Sequence, residues 1–147
     1  MLQKVDENNY QMLWQAFEKT SQQSKDFFSP HNFDLESIKN LVYEKGNYYY
    51  LFYTLDGDFA GYGMLRTFDK YPIPTLGCII WEKFRGKGYG KRIVEELLDK
   101  AKQLDFKSVK LKVYPDNVVA HSVYQKVGFS DIGESDDGQI WMEYFFK

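Results

Sequence analysis

The chain has 147 residues, 44% of them hydrophobic and 18% aromatic, with a formal net charge of −2. That is enough apolar material for one globular core, and it excludes a disordered chain or a nucleic-acid or membrane binder working by bulk charge. A single cysteine, Cys78, excludes an internal disulfide framework, and the two distant histidines, His31 and His121, offer no metal-ligand spacing.

Residues 2–5 read as a short first strand. Residues 6–26 then read as a helix, with Tyr10, Leu13, Trp14 and Phe17 at helical spacing. Pro30 breaks the chain. Asp34 is placed to cap a second helix carrying Leu35, Ile38, Leu41 and Val42, with Gly46 as its stop. Residues 48–55 are apolar at both odd and even positions, which predicts a strand buried on both faces. Asp56-Gly57 signals a hairpin returning as a strand over residues 59–68. Pro72 and Pro74 mark a turn before a third strand over residues 76–81.

The second half changes rhythm. A helix over residues 88–104 precedes a strand in which Val109, Leu111 and Val113 alternate with Lys110 and Lys112. A short helix over residues 118–126 stops at Gly128, and strands follow around residues 129–132 and 140–146. This order predicts a mixed, mostly antiparallel α/β (α+β) sheet with helices on both faces. Its strand–helix–strand unit should cross over right-handed, making those two strands parallel. No repeat or linker divides the chain, so residues 1–147 read as a single domain. No stretch reaches ~18 apolar residues and the first ten are polar, so neither a membrane span nor a signal peptide is expected, and a cytoplasmic protein is.

Chemistry concentrates in residues 80–92, which leave a buried strand and enter an amphipathic helix. Gly86, Gly88 and Gly90 remove side-chain bulk where backbone must approach something closely. Free amide groups at the helix start suit a phosphate or diphosphate, and Arg85, Lys87, Lys91 and Arg92 add positive charge nearby. The Walker pattern is absent, and glycines repeating every second residue do not fit the dinucleotide fingerprint. Lys87-Gly88-Tyr89-Gly90 matches the opening of an RNA-binding strand motif, but the sequence continues with helical period and without stacking aromatics. No nucleic-acid partner is expected.

The loop resembles that of the GNAT superfamily of N-acetyltransferases, whose cofactor pattern is Gln/Arg-x-x-Gly-x-Gly/Ala. Arg85, Gly88 and Gly90 fill it. A second family pattern, Asn-x-x-Ala-x-x-x-Tyr-x-x-x-Gly-Phe, is met by Asn117, Ala120, Tyr124, Gly128 and Phe129. The stretch 58–63, with Gly61, resembles the hairpin strand that precedes the cofactor strand in many members. The similarity covers about residues 47–147.

This resemblance implies acetyl-CoA as co-substrate, without a metal. Arg85, Gly86, Lys87, Gly88, Tyr89, Gly90 and Lys91 would hold its diphosphate. The strand carrying Cys78, Ile79 and Ile80 would bind the pantetheine arm, admitted where the neighbouring strand splays away. Asn117 would contact the cofactor, or simply cap its helix. Tyr124 would protonate the leaving thiolate, or simply pack as a core aromatic. Many members place a carboxylate base early on the cofactor strand; residues 72–75 hold none. Glu82, His31 and Glu143 are base candidates by type only, and a water chain serves equally. Cys78 reads as a small buried hydrophobe, which favours direct transfer in a ternary complex over an acetyl-cysteine.

For the acceptor, the aromatic connection 27–33 suggests a pocket with Phe28 and His31 against a small-molecule primary amine. The alternatives are a protein N-terminal or lysine acetyltransferase, and a non-catalytic acyl-CoA-binding module. An exposed last strand over residues 140–146 is a candidate surface for pairing in a homodimer.

Overall fold

Tyr49, Tyr50, Leu51 and Phe52 are all buried, and they divide between two cores. Tyr49 and Leu51 join one, Tyr50 and Phe52 the other, as alternation along a strand requires. A strand covered on both faces therefore accounts for the unbroken apolar run. The computed structural model describes residues 1–67 and 72–147.

The strands are β1 (Leu2–Lys4), β2 (Asn47–Tyr53), β3 (Phe59–Arg66), β4 (Thr75–Ile80), β5 (Ser108–Val113), β6 (Ser130–Glu134) and β7 (Ile140–Phe145). They form one seven-stranded sheet in the order β1-β2-β3-β4-β5-β7-β6. Only β4 and β5 run parallel; every other neighbouring pair is antiparallel. The helices are α1 (Tyr10–Glu18), α2 (Gln22–Phe27), α3 (Leu35–Leu41), α4 (Tyr89–Gln103) and α5 (Val118–Val127). One face is covered by Leu13 and Phe17 of α1 with Ile38 and Leu41 of α3, packed on Tyr62, Met64 and Ile79. Ile93, Val94, Leu97, Leu98 and Ala101 of α4 cover the other, over Leu65, Leu76, Val109, Leu111 and Val113. The mixed sheet with helices on both faces is as the sequence predicts, and α4 links the parallel pair.

The expected helix over residues 6–26 is two helices. The Asp6 carboxylate accepts from the Asn8 and Asn9 amides, holding a turn that delays α1 to Tyr10. The Thr20 hydroxyl then bonds back to the Ala16 carbonyl at 2.8 Å, and Ser21 caps α2 by accepting from the Ser24 amide. Hydroxyl side chains that compete for backbone partners break the helix there. Asp34 does cap α3, accepting from the Ser37 amide, but α3 stops at Leu41, before Gly46. At φ +79°, Gly46 instead shapes the turn into β2. The returning strand ends at Arg66 rather than at Phe68, which lies outside the described residues. The last strand is no edge: β7 bonds β5 on one side and β6 on the other, so it has no free edge for pairing between subunits.

Gly61 faces β4 so closely that a methyl group there would sit 2.4 Å from the Ile79 carbonyl oxygen. Backbone cannot yield as a flexible side chain can. Gly61→Ala should lower stability by about 1–3 kcal/mol, read as a lower urea midpoint with unchanged slope.

Candidate functional site

Two features of β4 define the site. On its β3 side the strand is bonded throughout, from Arg66↔Thr75 to Gly61↔Ile80. On its β5 side only Thr75 pairs, with Lys110, whose amide donates to the Pro74 carbonyl at 3.0 Å. From Leu76 onward the two parallel strands part. The open edge of β4 thus presents peptide groups with no strand partner among the described residues.

Beyond β4 the chain makes one 3-10 turn (Glu82–Phe84), then the glycine loop, then α4. Gly86 and Gly88 adopt φ +75° and +84°, which L residues rarely tolerate. Nothing lies within 4 Å of where a side chain would begin at Gly86, Gly88 or Gly90. The N–H groups of Gly86, Gly88, Tyr89, Gly90 and Lys91 have no backbone acceptor among the described residues. An exposed cradle of donors at a helix N-terminus suits a diphosphate. The Arg85 amide is not part of it, because it donates to the Glu82 carbonyl.

Tyr124 reaches from α5 toward the open part of β4, and its hydroxyl lies 3.8 Å from Cys78 Sγ. Burial, then the neighbouring thiol, hold the phenol well above its usual pKa, so it stays protonated. Burial likewise pushes the Cys78 thiol up to about 11.

A sequence model described as the acetyltransferase (GNAT) family matches residues 7–129. The chain belongs to that family. It is an acetyl-CoA-dependent N-acetyltransferase. Among curated relatives, a spermine/spermidine N(1)-acetyltransferase of Bacillus subtilis (strain 168) is 30% identical over 112 residues, covering 69% of this chain and 70% of the relative. The fold matches a spermidine N-acetyltransferase from Vibrio cholerae in complex with CoA and spermine, with a TM-score of 0.84 at 14% identity. That match covers 99% of this chain and 94% of the other. An aminoglycoside acetyltransferase in complex with coenzyme A matches with a TM-score of 0.79 at 17% identity, covering 99% and 94%.

For a GNAT protein, the remaining sequence candidates fall in distinct places. The Asn117 side chain caps α5, accepting from the Ala120 amide at 3.5 Å. Phe28 lies across the face of β4, its ring edge 3.1 Å from where a side chain at Gly77 would begin. Its neighbour Phe27 meets the Tyr114 ring, just past β5, at 6.2 Å. The pair therefore straddles the parting strands. His31 sits apart, ringed by Phe17, Phe33, Tyr49 and Tyr62. Its Nδ1 donates to the Asn32 carbonyl, so its Nε2 accepts from the Tyr62 hydroxyl at 3.0 Å.

Each base candidate is tied into the structure. Burial keeps His31 below the usual histidine value. Bonds from Ser21 hold the Glu82 carboxyl below the usual carboxylate range. Glu143 is buried and accepts from the Ser108 hydroxyl at 2.8 Å. Among the described residues no cluster of three or more His, Cys, Asp or Glu could hold a metal ion, and no helix is long and apolar enough to cross a membrane. Sequence reasoning missed Ser21 and Ser24, whose contacts with Glu82 and Arg85, just ahead of the glycine loop, span some sixty positions and leave no local pattern.

Two outcomes are expected. A methyl group at Gly88 forces a left-handed L residue, costing about 1–2 kcal/mol. Gly88→Ala should then weaken CoA binding about tenfold by calorimetry, with an unchanged circular dichroism spectrum. His31 takes up its proton less readily folded than unfolded, so the unfolded state binds more protons below pH ~6.5. Its contribution is therefore complete above that pH and is lost as pH falls toward the folded value. His31→Gln should flatten this slope in urea melts taken from pH 7 to pH 5.

Proposed function

We propose that the protein moves an acetyl group from acetyl-CoA to a primary amine of a small molecule, directly within a ternary complex. The observation that carries this reading is the Tyr124 hydroxyl held against Cys78 at the open edge of β4, the strand that leads into the glycine loop. Amides from Gly86 to Lys91 bind the diphosphate, with Lys87 and Lys91 adding charge. The backbone of Cys78, Ile79 and Ile80 hydrogen-bonds the amide-bearing arm and orients the thioester. The thioester supplies an activated acetyl group. Tyr124 then donates its proton, or a hydrogen bond, to the departing sulfur. A phenol carries its proton at neutral pH even at its usual value, and burial raises Tyr124 further, which favours a hydrogen bond held on the departing sulfur.

The Cys78 thiol, at about 11, is almost wholly un-ionised at neutral pH. That supports direct attack by the amine over an acetyl-cysteine. Asn117 orients the first turn of α5 and lies beside the cofactor. Phe28 and Phe27 wall the acceptor side.

An aliphatic polyamine is the acceptor class to test first. The Bacillus subtilis relative is named for spermine and spermidine, and the Vibrio cholerae structure contains spermine. The chain acts as one domain, since helices from both halves cover a single sheet. A free thiol at Cys78 fits a reducing cytoplasm.

Thiol release from acetyl-CoA with spermidine, spermine and a panel of other amines tests the reading. One amine should drive release, and absence of acetyl-CoA binding would overturn it. Tyr124→Phe should lower kcat about 100-fold with an acetyl-CoA KM changed by less than about twofold. Alkylamines shed their proton near pH ~10.4, so the wild-type rate should climb from pH 6 to pH 9. Tyr124 stays protonated throughout, so no falling limb should interrupt that climb.

A further inference from the structure

The segment that leads into the glycine loop is bound to α2 by side chains that the acetyl-transfer chemistry does not use. Arg85, immediately before the loop, donates from Nε to the Ile80 carbonyl and from Nη2 to the Ser24 hydroxyl, both at 2.9 Å. Glu82 Oε1 accepts from the Ser21 amide at 3.1 Å and from the Ser24 hydroxyl at 3.4 Å. Ser24 is only 6% exposed and stands at the crossing of the guanidinium and the carboxylate. It uses its hydroxyl in both directions, accepting from Arg85 and donating to Glu82. Its amide donates to Ser21 Oγ, which closes the first turn of α2. Ser24 is buried while Glu82 and Arg85 are exposed, so the serine is the fixed point at which the two charge-assisted bonds meet.

The two ends of the network face different substrates. Its loop end is the last anchored residue before the amides of Gly86 to Lys91. Its α2 end lies one turn before Phe27 and Phe28, which straddle the parting of β4 and β5. We infer that Ser24, held between Arg85 and Glu82, is a positioning residue that ties the acceptor wall of α2 to the cofactor loop. Ordering the loop around a diphosphate thereby orders Phe27 and Phe28, so bound cofactor prepares the acceptor side. This inference rests on the cofactor assignment made above. Because such coupling is reciprocal, a bound amine tightens the loop by the same factor.

Ser24→Ala removes the hydroxyl at the crossing but leaves the bond from Arg85 to Ile80, so the loop keeps its strand anchor. Glu82→Gln weakens the same link from the other side and retains an oxygen acceptor for the Ser21 amide. The probe is CoA alone, followed by hydrogen–deuterium exchange on the full chain. In the wild type, CoA should slow exchange in peptides covering residues 82–91 and also in those covering residues 21–28. Ser24→Ala should keep the first protection and lose most of the second, with Glu82→Gln intermediate. Thermal melts identify a variant that fails to fold, and the other variant then carries the comparison.

In turnover with the acceptor identified by thiol release, Ser24→Ala should raise the amine KM about tenfold at saturating acetyl-CoA, with the affinity for CoA alone, measured by calorimetry without amine, within about twofold of wild type. A general loss of structure would move both. Protection of residues 21–28 that is absent in the wild type, or unchanged in both variants, overturns the inference and leaves the cofactor assignment standing. Absence of protection at residues 82–91 in the wild type overturns the cofactor assignment itself.

Discussion

A strand bonded along one edge and open along the other is the constraint on which this molecule turns. Buried peptide groups must find partners. β3 satisfies one edge of β4 over its whole length, and β5 satisfies the other only at Thr75. The open edge is therefore a demand for hydrogen bonds that an amide-bearing ligand arm can meet. Neither side of the gap can close. Phe27 and Phe28 fill one face at its margins, and the Tyr124–Cys78 contact spans the other. The rest of the fold keeps β4 rigid while it stays half unpaired. Tyr62 and Met64 back it through one core, and Leu65 and Ala60 through the other.

Pattern shows in sequence where a residue's neighbours along the chain decide its fate. The apolar run 48–52 announces a doubly covered strand because each residue needs only an apolar partner on its own face. Gly86, Gly88 and Gly90 announce a tight loop because glycine answers a backbone requirement at its own position, and φ is positive at the first two. Asp34 and Asn117 announce helix starts, and both cap as expected. Tyr124 was legible only through the spacing of its motif, since a tyrosine beside Val123 and Val127 is otherwise an ordinary core residue.

What stayed hidden depends on contacts between distant positions. The break between α1 and α2 hinges on Thr20 and Ser21 choosing backbone partners, in a polar stretch over residues 18–26 with no glycine or proline to mark a stop. Glu82 was a base candidate by type only, and its two serine donors, near position 20, leave no mark beside it in the sequence. His31 looked like a substrate contact in an aromatic loop, yet the loop folds so that four rings and the Tyr62 hydroxyl surround it. The last strand looked like an edge because it comes last. Chain order does not fix sheet order, and β7 inserts between β5 and β6.

The sheet's true margins carry a further consequence. β1 is three residues long, and β6 is exposed at every position, carries Asp131 and Glu134, and loses register between Asp131 and Gly133. Short, charged and irregular margins are poor templates for another strand. A mixed sheet that parts between β4 and β5 is thus ill suited to growth at both sides. Edge-to-edge growth of copies into a continuous ribbon is thereby disfavoured.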